Sequence, residues 1–151
     1  TLDGTLFPYT TLFRSDQAFG GAQLTQLIVR QYGFSPEEAE SKKRSGDLPD
    51  DYGSGVLQPF VESMAQEISR AMQFFFTSTP YNRVDYALLA GGSAALAGLT
   101  AAVTQQTSFP CNLVDPFASM EIGGGVRENK LRREAPSYLT ACGLAMRRFL
   151  Q

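Results

Sequence analysis

Apolar side chains recur every three or four residues in two parts of the chain, which is the spacing of one face of a helix. The chain becomes regular from Phe19, and the first helix is predicted to follow a turn at Gly20-Gly21 and to stop at Gly33. The second helix is predicted from about Val56 to Ser78, closed by Pro80. The apolar face of the first helix consists of Leu24, Leu27, Ile28 and Tyr32. That of the second consists of Leu57, Phe60, Val61, Met64, Ile68, Ala71, Met72 and Phe75.

A short polar helix is predicted between these two. Ser35 is followed by Pro36 and, three positions after the serine, by Glu38, which is the sequence of a capping box with proline at the first helical position. The helix is predicted to end near Gly46. Residues 46–55 are rich in Asp, Gly and Pro and are predicted to form a loop.

The second half of the chain alternates between strands and helices. Residues 84–90 and 111–114 are short and largely apolar, so both are predicted to be strands, the first covered on both faces. Between them, Gly91-Gly92-Ser93 is predicted to turn into a helix that Ser93 caps. A last helix is predicted after Ala135-Pro136. This alternation predicts an α/β layer fold. The last helix carries Tyr138, Leu139, Cys142, Ala145, Met146 and Phe149.

Composition narrows the classes of function. The chain has 151 residues, about the size of one domain, and its net charge of −2 argues against a general nucleic-acid binder. It contains no histidine, and its cysteines, Cys111 and Cys142, form no CxxC motif, which excludes a zinc site and a thiol–histidine dyad. Both thiols are expected to be reduced and buried. The longest apolar stretch, residues 87–103, is interrupted by glycines and is shorter than a bilayer span of about 20 residues, so no membrane-spanning helix is expected.

Two places in the chain have the residue types of a binding site. Gly91-Gly92-Ser93 would let an anion or a ribose approach the backbone closely, although the same glycines could simply form a tight turn. Glu40 and Lys43 lie one helical turn apart and could hydrogen-bond a ribose or frame a purine. A solvated salt bridge within the helix is the alternative for this pair.

Residues 1–15 fit neither a helix nor a clean strand. Within them, LFPYTTLFRS resembles translated sequencing-adapter sequence, so residues 1–15 are expected to be non-native or disordered. Residues 1–5 are similar to the DxDGT motif of haloacid-dehalogenase-type phosphatases, but Thr1 stands where that family has its nucleophilic aspartate. A fragment of such a phosphatase is therefore an alternative identity.

A combination of longer segments carries a resemblance to a known family. The segments are 19–25, 37–46, 48–52, 56–60, 73–76, 85–92, 112–117 and 141–145. Together they cover about residues 16–151 and resemble the PilM family of type IV pilus assembly proteins. That family is similar to FtsA and MreB, which belong to the actin-like ATPase superfamily.

The resemblance implies the second lobe of an actin-like ATPase fold, an incomplete RNase H-like α/β domain with a small helical subdomain at about residues 34–80. It also implies ATP, with magnesium in the intact protein, as the ligand. The adenosine motif is matched by Gly91, Gly92 and Ser93. The ExxK helix, which contacts adenine and ribose, is matched by Glu40 and Lys43. The glycine pair after the phosphate-binding hairpin is matched by Gly20 and Gly21.

The family pattern is expected to be incomplete in this chain. The family has a DxG phosphate loop just before the position of Asp16, and residues 1–15 supply no convincing copy of it. The first lobe, with its own phosphate loop and water-activating acidic residue, is expected to be missing. Phosphoryl transfer needs all of these parts, so the chain alone is expected to bind nucleotide weakly at most, with no catalytic residue assigned.

The resemblance further implies a set of partners. In the family, the intact protein binds the cytoplasmic tail of PilN, mainly through the first lobe. It thereby links the alignment complex of PilN, PilO and PilP to the pilus motor. A cytoplasmic location peripheral to the bacterial inner membrane follows, together with self-association through both lobes. A nucleotide-free structural module of the same fold is the alternative function.

Overall fold

The computed structural model describes residues 19–149. The expectations about residues 1–15, including the phosphatase-like motif, therefore lie outside the described residues. Residues 19–149 contain six α-helices and a two-stranded sheet. The elements are α1 (Gly21–Tyr32), α2 (Pro36–Ser45), α3 (Gln58–Ser78), β1 (Ala87–Leu89), α4 (Leu99–Thr107), β2 (Cys111–Leu113), α5 (Glu128–Glu134) and α6 (Leu139–Met146).

The ends of α1 and α2 confirm the predicted start and stop signals. Gly33 terminates α1 with φ of 70°, a left-handed conformation that favours glycine, and its N–H donates to the carbonyl of Val29. The Ser35 hydroxyl accepts the backbone N–H of Glu38 at 3.1 Å and caps α2. These two helices are fixed by local sequence chemistry.

The long helix begins slightly later than predicted. A π-helical turn, Gly53–Leu57, precedes α3 and takes up the end of the predicted loop. Pro59 lies in the first turn of α3, where its missing N–H costs no hydrogen bond. The regular helix then continues to Ser78, as the apolar spacing predicted.

One apolar core unites the helices with the sheet. α3 packs against α4, α1 packs against α2, and α4 packs against β2. The buried members of the core are Leu24, Ile28, Ala39, Val56, Phe60, Val61, Met64, Ala65, Leu99 and Val103. One core spans these elements, and the separate helical subdomain expected at about residues 34–80 stays a prediction.

The sheet is smaller and more exposed than the sequence predicted. β1 and β2 are parallel, with Leu88 opposite Asn112 and Leu89 opposite Leu113. Of the predicted strand at residues 84–90, only Ala87–Leu89 pairs with β2. Leu88 is 57% exposed, so the expectation of a strand covered on both faces is wrong. Alternate side chains point to opposite faces, and the described helices cover one of them.

The segment after β1 also differs from the prediction. Gly92–Ala95 forms a 3₁₀ turn, and no side-chain hydrogen bond from Ser93 caps a helix. The chain is extended at Leu96, and Gly98 with φ of 83° immediately precedes α4. The predicted helix is therefore divided at Gly98, and the capping role predicted for Ser93 is wrong.

The carboxyl-terminal part contains a helix that the apolar pattern did not predict. α5 precedes the 3₁₀ turn Ala135–Tyr138, which leads into α6. α6 is apolar but has no buried residue, and Leu144 is 59% exposed. Cys111 and Cys142 are free and only partly buried, so the expected full burial of these thiols is wrong.

No helix within residues 19–149 has the length and hydropathy needed to cross a membrane. The same residues contain no group of three or more Cys, Asp or Glu side chains placed to bind a metal ion.

Two leucines of α1 offer a matched test of this packing. Leu24 is 1% exposed in the core and Leu27 is 38% exposed. Leu24→Ala is expected to lower the free energy of unfolding by about 2–5 kcal/mol because it leaves a cavity. Leu27→Ala is expected to lower it by about 1 kcal/mol or less. Urea denaturation followed by circular dichroism measures both, and equal losses would contradict the position of α1 on the core.

Candidate functional site

A cleft of about 970 Å³ lies among α1, α2, the turn Gly92–Ala95 and α5. Five of the seven residues predicted to bind nucleotide line it: Gly21, Glu40, Lys43, Gly92 and Ser93. The other two, Gly20 and Gly91, line a smaller cavity of about 360 Å³ that also contacts Gly92 and Ser93. The structure thus brings the predicted residues together from three separate parts of the chain.

The two glycines at the start of α1 are not equivalent. A Cβ atom on Gly21 would lie 3.2 Å from the Ser93 hydroxyl oxygen and 3.9 Å from the Lys43 ammonium nitrogen. Gly20 has an extended backbone with φ of 174°, and a Cβ atom there would meet nothing within 4 Å. The missing side chain of Gly21 therefore permits the close approach of α1, α2 and the Gly92–Ala95 turn.

Glu40 and Lys43 form more than a pair within one helix. Lys43 forms an ion pair with Glu40 and donates to the Thr25 hydroxyl at 2.6 Å and to the Gly21 carbonyl at 3.2 Å. The Thr25 hydroxyl lies 2.7 Å from Glu40 Oε2, and Arg44 pairs with Glu40 Oε1 at 2.9 Å. The Lys43 side chain is 17% exposed. The solvated intrahelical salt bridge considered from the sequence is thus a partly buried connection between α1 and α2.

These contacts stabilise the ionised form of Glu40. The hydrogen bond from Lys43 lowers the pKa of the carboxyl group most, followed by those from Thr25 and Arg44, and together they lower it from 4.5 to about 2. Desolvation opposes this shift but contributes less than each of the three hydrogen bonds. At neutral pH the cleft therefore contains a fixed carboxylate with an ammonium group beside it.

The Gly91-Gly92 turn is fixed by backbone hydrogen bonds. Gly91 has φ of 96°, which a side chain would strain. Its N–H donates to the carbonyl of Pro136 at 2.8 Å, and its own carbonyl accepts the N–H of Ala94 at 3.1 Å. The turn after β1 is thus joined to the segment between α5 and α6.

One wall of the cleft was not predicted from the sequence. Lys130, Arg133, Glu134 and Ser137, on and just after α5, line it, as does Arg44 of α2. In the described part of the chain, Lys130 and Arg133 have no ion-pair partner, whereas Arg44 is paired with Glu40. The i, i+3 spacing of Lys130 and Arg133 is the signal that could have identified this basic face. It places positive charge along this side of the cleft.

The parallel sheet, the surrounding helices and the glycine-lined cleft define a mixed α/β protein with a ligand-sized cleft. The chain belongs to the family "Type IV pilus assembly protein PilM", whose model matches residues 7–149. This confirms the resemblance. The match begins within residues 1–15, whose non-native origin stays a prediction, and it gives the phosphatase alternative no support.

A solved structure titled "PilM-PilN type IV pilus biogenesis complex" has a similar fold. Its TM-score is 0.68, with 24% sequence identity over 85% of the present chain. The present chain covers 37% of the chain in that structure, little more than a third of its length. The similarity shows a shared arrangement of helices and a small sheet.

The depressed pKa of Glu40 predicts a pH dependence of stability. The carboxylate stabilises the folded state fully above pH 4.5, and this contribution is lost as pH falls toward 2. Glu40→Gln is therefore expected to remove part of the decrease in the urea midpoint between these pH values. Glu121→Gln, a substitution of an exposed carboxylate in a loop, serves as the control. Indistinguishable acid profiles for Glu40→Gln and the unsubstituted protein would contradict the network.

Proposed function

We propose that this chain is the nucleotide-binding second lobe of an actin-like ATPase fold within a type IV pilus assembly protein. The proposal depends on one observation above all. Glu40 and Lys43 of α2 line the same cleft as Gly92 and Ser93, which follow β1. The family resemblance assigns these two groups to the same nucleoside, and their separation in the sequence did not require them to meet.

The residues of the cleft fit an adenine nucleotide. Glu40, ionised at neutral pH, can accept hydrogen bonds from ribose hydroxyl groups. The absence of a side chain at Gly92, where an added Cβ would meet no atom within 4 Å, allows a ligand to approach the backbone of the turn. The amino terminus of α1, a helix of 12 residues without an acidic residue in its first turn, favours phosphate. Lys130 and Arg133 add positive charge from α5.

Magnesium would enter with the nucleotide. The described residues offer no preformed group of acidic ligands, and Mg²⁺ commonly binds through substrate phosphates with one or two carboxylates. No residue of this chain is assigned to activation of water. The proposed role is nucleotide binding that supports assembly, with ATP turnover assigned to no group in this chain.

Neighbouring lysines of α2 provide a test of the site. Lys43 lines the cleft, whereas Lys42 pairs with Asp47 at 3.2 Å and lies over the ring of Phe34. In the intact parent protein, Lys43→Ala is expected to raise the Kd of a fluorescent ATP analogue about tenfold, because a charge-assisted contact network is lost. Lys42→Ala is expected to leave this Kd unchanged.

A second pair of variants tests the glycine turn. Gly92→Asp places a negative charge in the cleft, and an added Cβ there meets no atom within 4 Å, so the fold is expected to tolerate it. Gly124→Asp makes the same change in an exposed loop and serves as the control. Unchanged nucleotide affinity in both Gly92→Asp and Lys43→Ala would refute the nucleotide site and favour the alternative, a nucleotide-free structural module.

The shared fold also supports a binding partner for the intact protein. The similar solved structure is, by its title, a complex of PilM with PilN. We propose that the intact protein binds the cytoplasmic tail of PilN, mainly through residues outside this chain, and links the alignment complex to the pilus motor. It would then lie in the cytoplasm, peripheral to the inner membrane, where self-association through both lobes is also expected.

Fluorescence anisotropy of a labelled PilN tail peptide tests this division. The intact protein is expected to bind the peptide, and residues 16–151 are expected to bind it at least about tenfold more weakly, a difference of about 1.4 kcal/mol. Circular dichroism must first show that the shorter protein is folded. In the intact protein, Leu144→Arg on the exposed surface of α6 is expected to leave peptide affinity unchanged. Equal affinity of the two proteins would contradict the proposed location.

A further inference from the structure

Thr25 lies at the centre of the hydrogen bonds that join α1 to α2. Its hydroxyl oxygen lies 2.6 Å from Lys43 Nζ, 2.7 Å from Glu40 Oε2 and 3.0 Å from the carbonyl oxygen of Gly21. A hydroxyl group has one proton to donate. Because Lys43 already donates to the Gly21 carbonyl, the Thr25 proton is best used by the Glu40 carboxylate. Thr25 thus accepts from the ammonium group and donates to the carboxylate.

The donors of Lys43 are fully used within the protein. An ammonium group has three N–H donors, and the Lys43 ammonium contacts Thr25, the Gly21 carbonyl and Glu40. Two of these three partners belong to α1. Lys43 therefore cannot donate to a ligand without giving up one of its present bonds. Its position is set mainly by the first turns of α1.

Glu40 retains some capacity to bind a ligand. A carboxylate accepts about four hydrogen bonds, and Glu40 receives those from Lys43, Thr25 and Arg44. About one acceptor position is left for a hydroxyl group in the cleft. The orientation of that acceptor depends on the partners that hold the carboxylate from both sides.

We infer that Thr25 is a positioning residue that, together with Lys43, holds the Glu40 carboxylate in the geometry that binds a sugar hydroxyl group of the ligand. The inference rests on the proposed nucleotide function of the cleft and extends it to a residue of α1. Thr25 acts through the other two side chains and not by contact with the ligand. It connects the Glu40–Lys43 salt bridge of α2 to Gly21 in the first turn of α1.

Three variants of the intact parent protein separate this role from a general effect on folding. Thr25→Val keeps the shape of the side chain and removes the hydroxyl, whereas Thr25→Ser keeps the hydroxyl. Thr77→Val is the matched control, because among residues 19–149 the Thr77 hydroxyl bonds only to backbone carbonyls of its own helix, at 3.1 Å. Each protein is measured for the pKa of Glu40 by NMR without ligand and for the Kd of a fluorescent ATP analogue.

Thr25→Val is expected to raise the pKa of Glu40 above about 2 and to raise the Kd about tenfold. Thr25→Ser is expected to restore both values, and Thr77→Val to change neither. An unchanged Glu40 pKa in Thr25→Val, or a loss of affinity that Thr25→Ser does not restore, would overturn the positioning role. If the unsubstituted protein binds no nucleotide while the Glu40 pKa still rises, the arrangement of the pair is supported and the proposed function falls.

Discussion

The close approach of α1 to α2 is the constraint on which the cleft depends. Two adjacent faces of α1 make different contacts. Leu24 and Ile28 are buried in the apolar core, while Gly21 and Thr25 face α2 and the Gly92–Ala95 turn. Burial of the first face determines where the second face lies, because a helix is rigid over three turns. The hydrophobic core thereby determines where the polar groups of Gly21 and Thr25 lie. Their few hydrogen bonds would not fix the position of the helix by themselves.

Sequence patterns predicted the elements whose ends are encoded locally. Gly33 and Ser35 determine the end of α1 and the start of α2 by backbone conformation and side-chain capping, which are properties of a few adjacent residues. The coverage of β1 could not be predicted in this way, since the exposure of Leu88 depends on which helices pack over the sheet. α5 was missed because its sequence, ENKLRRE, contains one apolar residue and hence no apolar face.

The candidate site shows the same division between local and tertiary information. The spacing of Glu40 and Lys43 left a solvated salt bridge as an alternative, and the two residues do form a salt bridge. The spacing could not predict the part played by Thr25, because Thr25 lies on another helix. Its hydrogen bonds to Glu40 and Lys43 make the pair a connection between α1 and α2. Residue types made the pair and the Gly91-Gly92-Ser93 segment candidates, and the family resemblance assigned them to one nucleoside. Their meeting in one cleft is a property of the fold.

In the proposed site, the charges of the cleft would by themselves give weak binding of a nucleotide. Lys43 and Arg44 both form salt bridges with Glu40, so their charges mainly stabilise the Glu40 carboxylate on α2. Lys130 and Arg133 are exposed, and attraction between exposed charges is strongly screened by salt. In the proposed site, the α2 side of the cleft would therefore contribute shape and an acceptor for a hydroxyl group, while Lys130 and Arg133 would contribute a modest, salt-dependent attraction. Tight binding of a triphosphate requires further donors close to the phosphates, and the proposed division between two lobes would supply them.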